Sequence, residues 1–161
     1  MTYMVRLATL SEESATNPDA IIEKLSVLHV DLLSWWETCP PRLRDQTTDR
    51  RRLPRPRKLT ILETLEEAFS SCKSCMKGCL IYLHHLRDPL EQDESAREEV
   101  IEAITFILET AKETPEGFGL EMGLYWGLFM AGVAILNDEV AEEFIRHKLT
   151  ADTSVSIYVG I

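Results

Sequence analysis

Between Met122 and Leu136 fifteen consecutive residues carry no charge, and no other feature of the chain restricts its folding so tightly. The run is shorter than the roughly 20 residues that cross a bilayer. It therefore reads as a core helix, apolar on every side, which other helices must enclose. Gly119, Gly123, Gly127 and Ala131 fall four residues apart, so one face of it is nearly bare backbone. Each interior glycine costs roughly 1 kcal/mol relative to alanine, a cost that a close helix–helix contact would offset. Asn137 and Asp138 interrupt the run and supply capping side chains. An amphipathic segment follows, with Val140, Ala141, Phe144, Ile145 and Leu149 on one face.

The preceding sequence reads as further helices separated by loops. Asn17-Pro18 is a helix start, a capping side chain followed by a proline whose missing N–H is harmless in the first turn. Ile21, Ile22, Leu25, Leu28, Leu32, Trp35 and Trp36 then recur at helical spacing until Pro40-Pro41 stops them. The stretch CPPRLRDQTTDRRRLPRPRK has four prolines and no apolar periodicity, so it reads as a flexible segment. Thr60-x-x-Glu63 and Ser95-x-x-Glu98 are capping-box signatures for two more helices. The second places Val100, Ile101, Ile104, Ile107, Leu108 and Ala111 on its inner face and ends at Thr114-Pro115-Glu116-Gly117. Residues 1–16 are weakly patterned, and the tail VSIYVGI from Val155 looks like an isolated strand.

Three segments carry a resemblance to a known family. Trp126-Gly127-Leu128-Phe129-Met130-Ala131-Gly132, followed by Asn137-Asp138 and by Arg146 to Leu149, is similar to the C-terminal part of the regulatory domain of fungal zinc-cluster (binuclear, six-cysteine) transcription factors. CLIYLHHLRDP, Cys79 to Pro89, resembles that family's apolar helix closing in Ile-Tyr-Leu-His. LLSWWETCPPRL, Leu32 to Leu43, resembles its Leu-x-x-Trp helix ending at a proline. The three occur in the expected order, and the resemblance runs from about Asp19 to Leu149. It implies a nuclear protein whose helical domain controls activity through effector response, self-association or coregulator binding.

Cys72, Cys75 and Cys79, spaced C-x2-C-x3-C with His84 and His85 behind, are the tempting chemical feature. The resembled family's DNA-binding module uses a repeated C-x2-C-x6-C element, which this chain lacks. Leu62, Leu65, Phe69, Cys72, Met76, Cys79, Leu83 and Leu86 alternate in steps of three and four, the mark of one continuous helix with cysteines as small apolar side chains. On such a helix Cys72 and Cys79 stand about 10.5 Å apart along the axis, too far for thiolates sharing one tetrahedral zinc at about 2.3 Å. His84 and His85 read as capping or solvated residues near a helix C-terminus, and His29 as a boundary residue. Glu63, Glu66, Glu67, Glu98, Glu99 and Glu102 read as solvated faces. No phosphate-binding glycine loop, nucleophile elbow or H-E-x-x-H occurs.

Charge is unevenly spread. The net charge of −10 comprises a local +6 between Arg42 and Lys58, eight basic residues against Asp45 and Asp49, and −16 elsewhere. An acidic body does not bind a phosphate backbone. No secretory signal opens the chain, so the four cysteines are expected as thiols in a reducing compartment. With 161 residues, 45% hydrophobic, the chain can bury one core.

The expected architecture is all-α, an irregular bundle of about five helices around one central apolar helix. Residues 1–16 would form an N-terminal segment, 17–150 the helical regulatory domain with a basic loop at 40–58, and 151–161 a tail. The expected role is regulation within a transcription factor, without enzymatic activity, cofactor, metal, membrane or direct nucleic-acid contact. Protein partners or self-association are expected, with a small-molecule effector as a further possibility. A stand-alone helical interaction module is the alternative, and a small metal- or thiol-dependent protein using Cys72, Cys75 and Cys79 the third reading. Candidate contacts are the basic residues Arg50, Arg51, Arg52, Arg55, Arg57 and Lys58, which read by default as a solvated linker and alternatively as a nuclear-import or acidic-partner patch. Trp35, Trp36 and the face of Gly119, Gly123 and Gly127 complete the set, because in the resembled family further helices precede this region.

Overall fold

The computed structural model describes residues 2–14, 18–39, 61–87, 94–114, 124–135 and 138–155. They form six helices: α1 (Thr2–Ser14), α2 (Pro18–Glu37), α3 (Ile61–Arg87), α4 (Glu94–Glu113), α5 (Leu124–Ala134) and α6 (Glu139–Val155). No strand occurs among the described residues, and the fold class is all-α. The helix count exceeds the expected number by one, because residues 2–14 are helical. Leu7 and Leu10 are buried there, with Tyr3 and Met4 packed against the same core, so a spacing of three and four was present in the weakly patterned segment.

Chain chemistry explains several of the boundaries. At the end of α2 the Cys39 N–H turns back to the Trp36 carbonyl at 3.0 Å, a tightened last turn just before Pro40, which disfavours the helical conformation in the residue preceding it. Asp138 caps α6, accepting from the Ala141 N–H at 3.0 Å. The far end of α4 is closed from another helix, where Lys148 Nζ donates to the Thr114 carbonyl at 2.8 Å. Ser95 lies inside α4 rather than before it, and Val155 closes α6 rather than opening a strand. The remainder of the tail, 156–161, and the basic segment 40–60 lie outside the described residues.

The second difference concerns the centre of the bundle. The apolar run was expected to be enclosed on all sides, but α3 is the element on which α1, α2, α4 and α5 all pack. Two cores flank it. On one side Leu7, Ile21, Leu25, Leu28, Leu32 and Trp36 close on Met76, Cys79, Leu80 and Leu83. On the other, Ile81 meets Ala103, Ile107, Leu124, Leu128, Ala131 and Ile145. Tyr82 and Trp126, in edge-to-face contact with ring centroids 6.0 Å apart, touch both. The inner faces are narrower than the spacing implied: Ile101, Val140 and Cys72 are exposed.

Helices α3 and α5 approach closely. A Cβ added at Gly127 would lie 2.8 Å from the Ser74 carbonyl oxygen, and one at Gly78 would lie 3.1 Å from Gly127 Cα. Glycine is used here for space, so the backbones can touch. Gly127 therefore serves the interior, as does Trp36, which is 7% exposed and packs tilted on Phe69 with ring centroids 4.9 Å apart. Both positions are buried within this chain. Gly119 and Gly123 lie outside the described residues.

Candidate functional site

Two features remain once the packing is accounted for: an apolar stripe on α5 and a polar cluster between α2, α3 and α4. Because α5 is apolar all round and α3, α4 and α6 cover only part of it, Tyr125, Phe129 and Val133 are left about half exposed, at 50%, 47% and 48%. They stand four residues apart and so share one face. Trp126, which stacks on Phe129 with centroids 6.2 Å apart, backs this face from inside. On α2, Val27, Val30, Leu33 and Trp35 are also exposed, though not on one face. Of the expected contacts, Trp35 is the one placed at the surface, whereas Arg50, Arg51, Arg52, Arg55, Arg57 and Lys58 lie outside the described residues. Between α1 and α2 a groove of about 430 Å³ is lined by Arg6, Thr9, Leu10, Glu23, Lys24 and Val27.

The polar cluster is formed by His29 of α2, His84 of α3 and Glu99 of α4. His84 Nε2 lies 2.6 Å and His29 Nε2 3.0 Å from the same Glu99 oxygen, Oε2. The two imidazoles meet edge to face with centroids 5.2 Å apart. His84 is buried at 7%, contrary to its reading as a capping or solvated residue. Glu99, expected on a solvated face, has a side chain only 23% exposed. The hydrogen bond with His29, then that with His84, holds its carboxyl well below the usual carboxylate range, against the opposing effect of burial. An ionised carboxylate between two imidazoles is therefore fixed where three helices converge. One signal for this was in the sequence: His29, His84 and Glu99 each stand four residues from a fully buried position, Leu25, Leu80 and Ala103. That placement continues each buried stripe to its border.

The cysteines are arranged differently. They lie on one unbroken helix, Ile61–Arg87, together with Cys39 beyond α2. Among the described residues no three thiols come close enough to hold one ion, whereas His29, His84 and Glu99 do. Cys75 is half-buried, and its thiol lies 3.9 Å from the Met4 sulfur. A hydrogen bond from Cys79 lowers the Cys75 thiol to about 7.

A family model for the fungal-specific transcription factor domain matches residues 1–154. The chain belongs to that family. Comparison with curated proteins and with solved structures gives no match. The family is one of transcription regulators and not of enzymes, so the fungal-specific transcription factor domain seen here has a regulatory role. Its match extends over α1, which the sequence resemblance from Asp19 onward did not include. Among the described residues of the domain, no helix is long and apolar enough to cross a membrane.

Proposed function

We propose that this domain acts in the nucleus as the regulatory part of a fungal transcription factor, and that it does so by protein contact, principally with a second copy of itself. The observation that supports this reading is the stripe of Tyr125, Phe129 and Val133 on the most apolar helix of the chain. Exposed apolar faces of this kind mark interaction sites in soluble proteins. Exposed Trp35 on α2 is a second contact point, and the basic run from Arg50 to Lys58 supports nuclear import or contact with an acidic segment. The acidic remainder of the chain argues against direct nucleic-acid contact.

Sedimentation velocity over a wide concentration range tests self-association. The wild-type chain should gain mass with concentration, and Phe129→Glu, at a half-exposed position, should associate more weakly with unchanged helicity. A wild-type chain that is monomeric throughout and binds no hydrophobic dye would overturn the proposal and favour a stand-alone module with other partners.

A further inference from the structure

We propose that His29, His84 and Glu99 form a binding site for a divalent transition-metal ion of the zinc type. Two imidazoles and one carboxylate are a recognised donor set for zinc, and the same set forms the three-ligand face used by non-haem iron. Their ligand atoms already lie within 4.8 Å of one another, although they come from three separate helices. Zinc held tetrahedrally at about 2.0–2.1 Å places nitrogen and oxygen ligands about 3.3 Å from each other. The present separations of 2.6 and 3.0 Å between each Nε2 and Glu99 Oε2 must open slightly, and the two imidazole donor atoms, within 4.8 Å of each other, must settle at the same spacing. Small rotations of the partly exposed His29 and Glu99 side chains, 20% and 23% accessible, supply that movement.

The burial pattern fits a site with an entrance. His84, at 7%, is the inner anchor, while His29 and Glu99 border solvent. Three protein ligands leave a fourth position, open to water or to a small anionic ligand. The carboxylate supplies a fixed negative charge, and its partners among the described residues are imidazoles, not a lysine or arginine that a cation would have to displace. On binding, each imidazole would coordinate through Nε2 and carry its remaining proton on Nδ1. His84 Nδ1 is buried and has no hydrogen-bond partner among the described residues. Lacking that outer contact, the site should bind about 10- to 100-fold more weakly than one that has it.

The test uses the full chain without a polyhistidine tag, titrated with Zn2+ or Co2+ alone. At zinc about 100 times the dissociation constant, Tm should rise by about 5–10 °C. Glu99→Gln and His29→Gln, each checked for native helicity, should lose this rise. Bound Co2+ should give a d–d spectrum without a sulfur-to-cobalt charge-transfer band. No cobalt binding, or a rise in Tm that both variants retain, would overturn the site. So would a thiolate band, because it would move the metal to the cysteines of α3.

Discussion

At the residue scale, the contact between Ser74 and Gly127 shows how small side chains set the spacing of two helices. Replacing Gly127 by alanine would gain about 1 kcal/mol of helix propensity. The added methyl would then lie 2.8 Å from a backbone oxygen, which cannot rotate away. Overpacking of this kind costs about 1–3 kcal/mol, so Gly127→Ala should lower Tm by a few degrees. Ser74 is the matching control. Its hydroxyl is buried without a hydrogen-bond partner among the described residues. Ser74→Ala removes an unmet polar group and should leave Tm unchanged or raise it. Calorimetry of the two variants checks both signs.

Thiol reactivity separates three cysteines on the same helix. Cys72 is exposed, yet partial desolvation raises its thiol above the ordinary value. Cys75 is half-buried but lowered to about 7 by the hydrogen bond from Cys79, whose own thiol is pushed up by that bond and by burial. Because the thiolate is the nucleophile, iodoacetamide at neutral pH should modify Cys75 ahead of Cys72, and Cys79 last. Mass mapping of a brief alkylation reads the order. Faster reaction at Cys72 would show that exposure outweighs thiolate population here.

At the element scale, sequence was a good guide wherever one helix carried its own signals. Pro18, the Trp36–Pro40 stop, the Asp138 cap and the long stripe of α3 all have local causes, so their helices could be placed in advance. The sequence was a weaker guide to which helix lies at the centre. Uniform hydrophobicity in α5 says that burial is favourable in every direction, but it cannot say that neighbours exist in every direction. Tyr125, Phe129 and Val133 are exposed because α3, α4 and α6 occupy the other sides. Helix α1 was missed because its four inward positions alternate with Val5, Arg6 and Thr9, which blurs the stripe. The cluster of His29, His84 and Glu99 had no pairwise signal at all. Its members are separated by 70 and 15 residues from one another along the chain and meet only through the packing of α2 and α4 on α3.

For the whole molecule, the sign of the salt dependence distinguishes two ways in which copies could meet. Each chain carries a net −10, so two copies repel across any apolar contact. Salt shortens the screening length from about 10 Å at 0.1 M to about 3 Å at 1 M. Screening removes that repulsion and leaves the burial of Tyr125, Phe129 and Val133 intact. If the α5 stripe drives association, raising NaCl should therefore tighten it. The other arrangement sets the basic run of one copy, with its local +6, against the acidic remainder of the next. That contact is attractive through charge, and the same salt should dissolve it. Sedimentation at two ionic strengths, with Phe129→Glu beside the wild type, gives the answer. The expected outcome is tighter association at high salt and a variant that stays weaker at both strengths, most of all at low salt, where its added charge is least screened. Association that weakens as salt rises, and that Phe129→Glu leaves untouched, would assign the interface to the basic segment and leave the α5 stripe without this role.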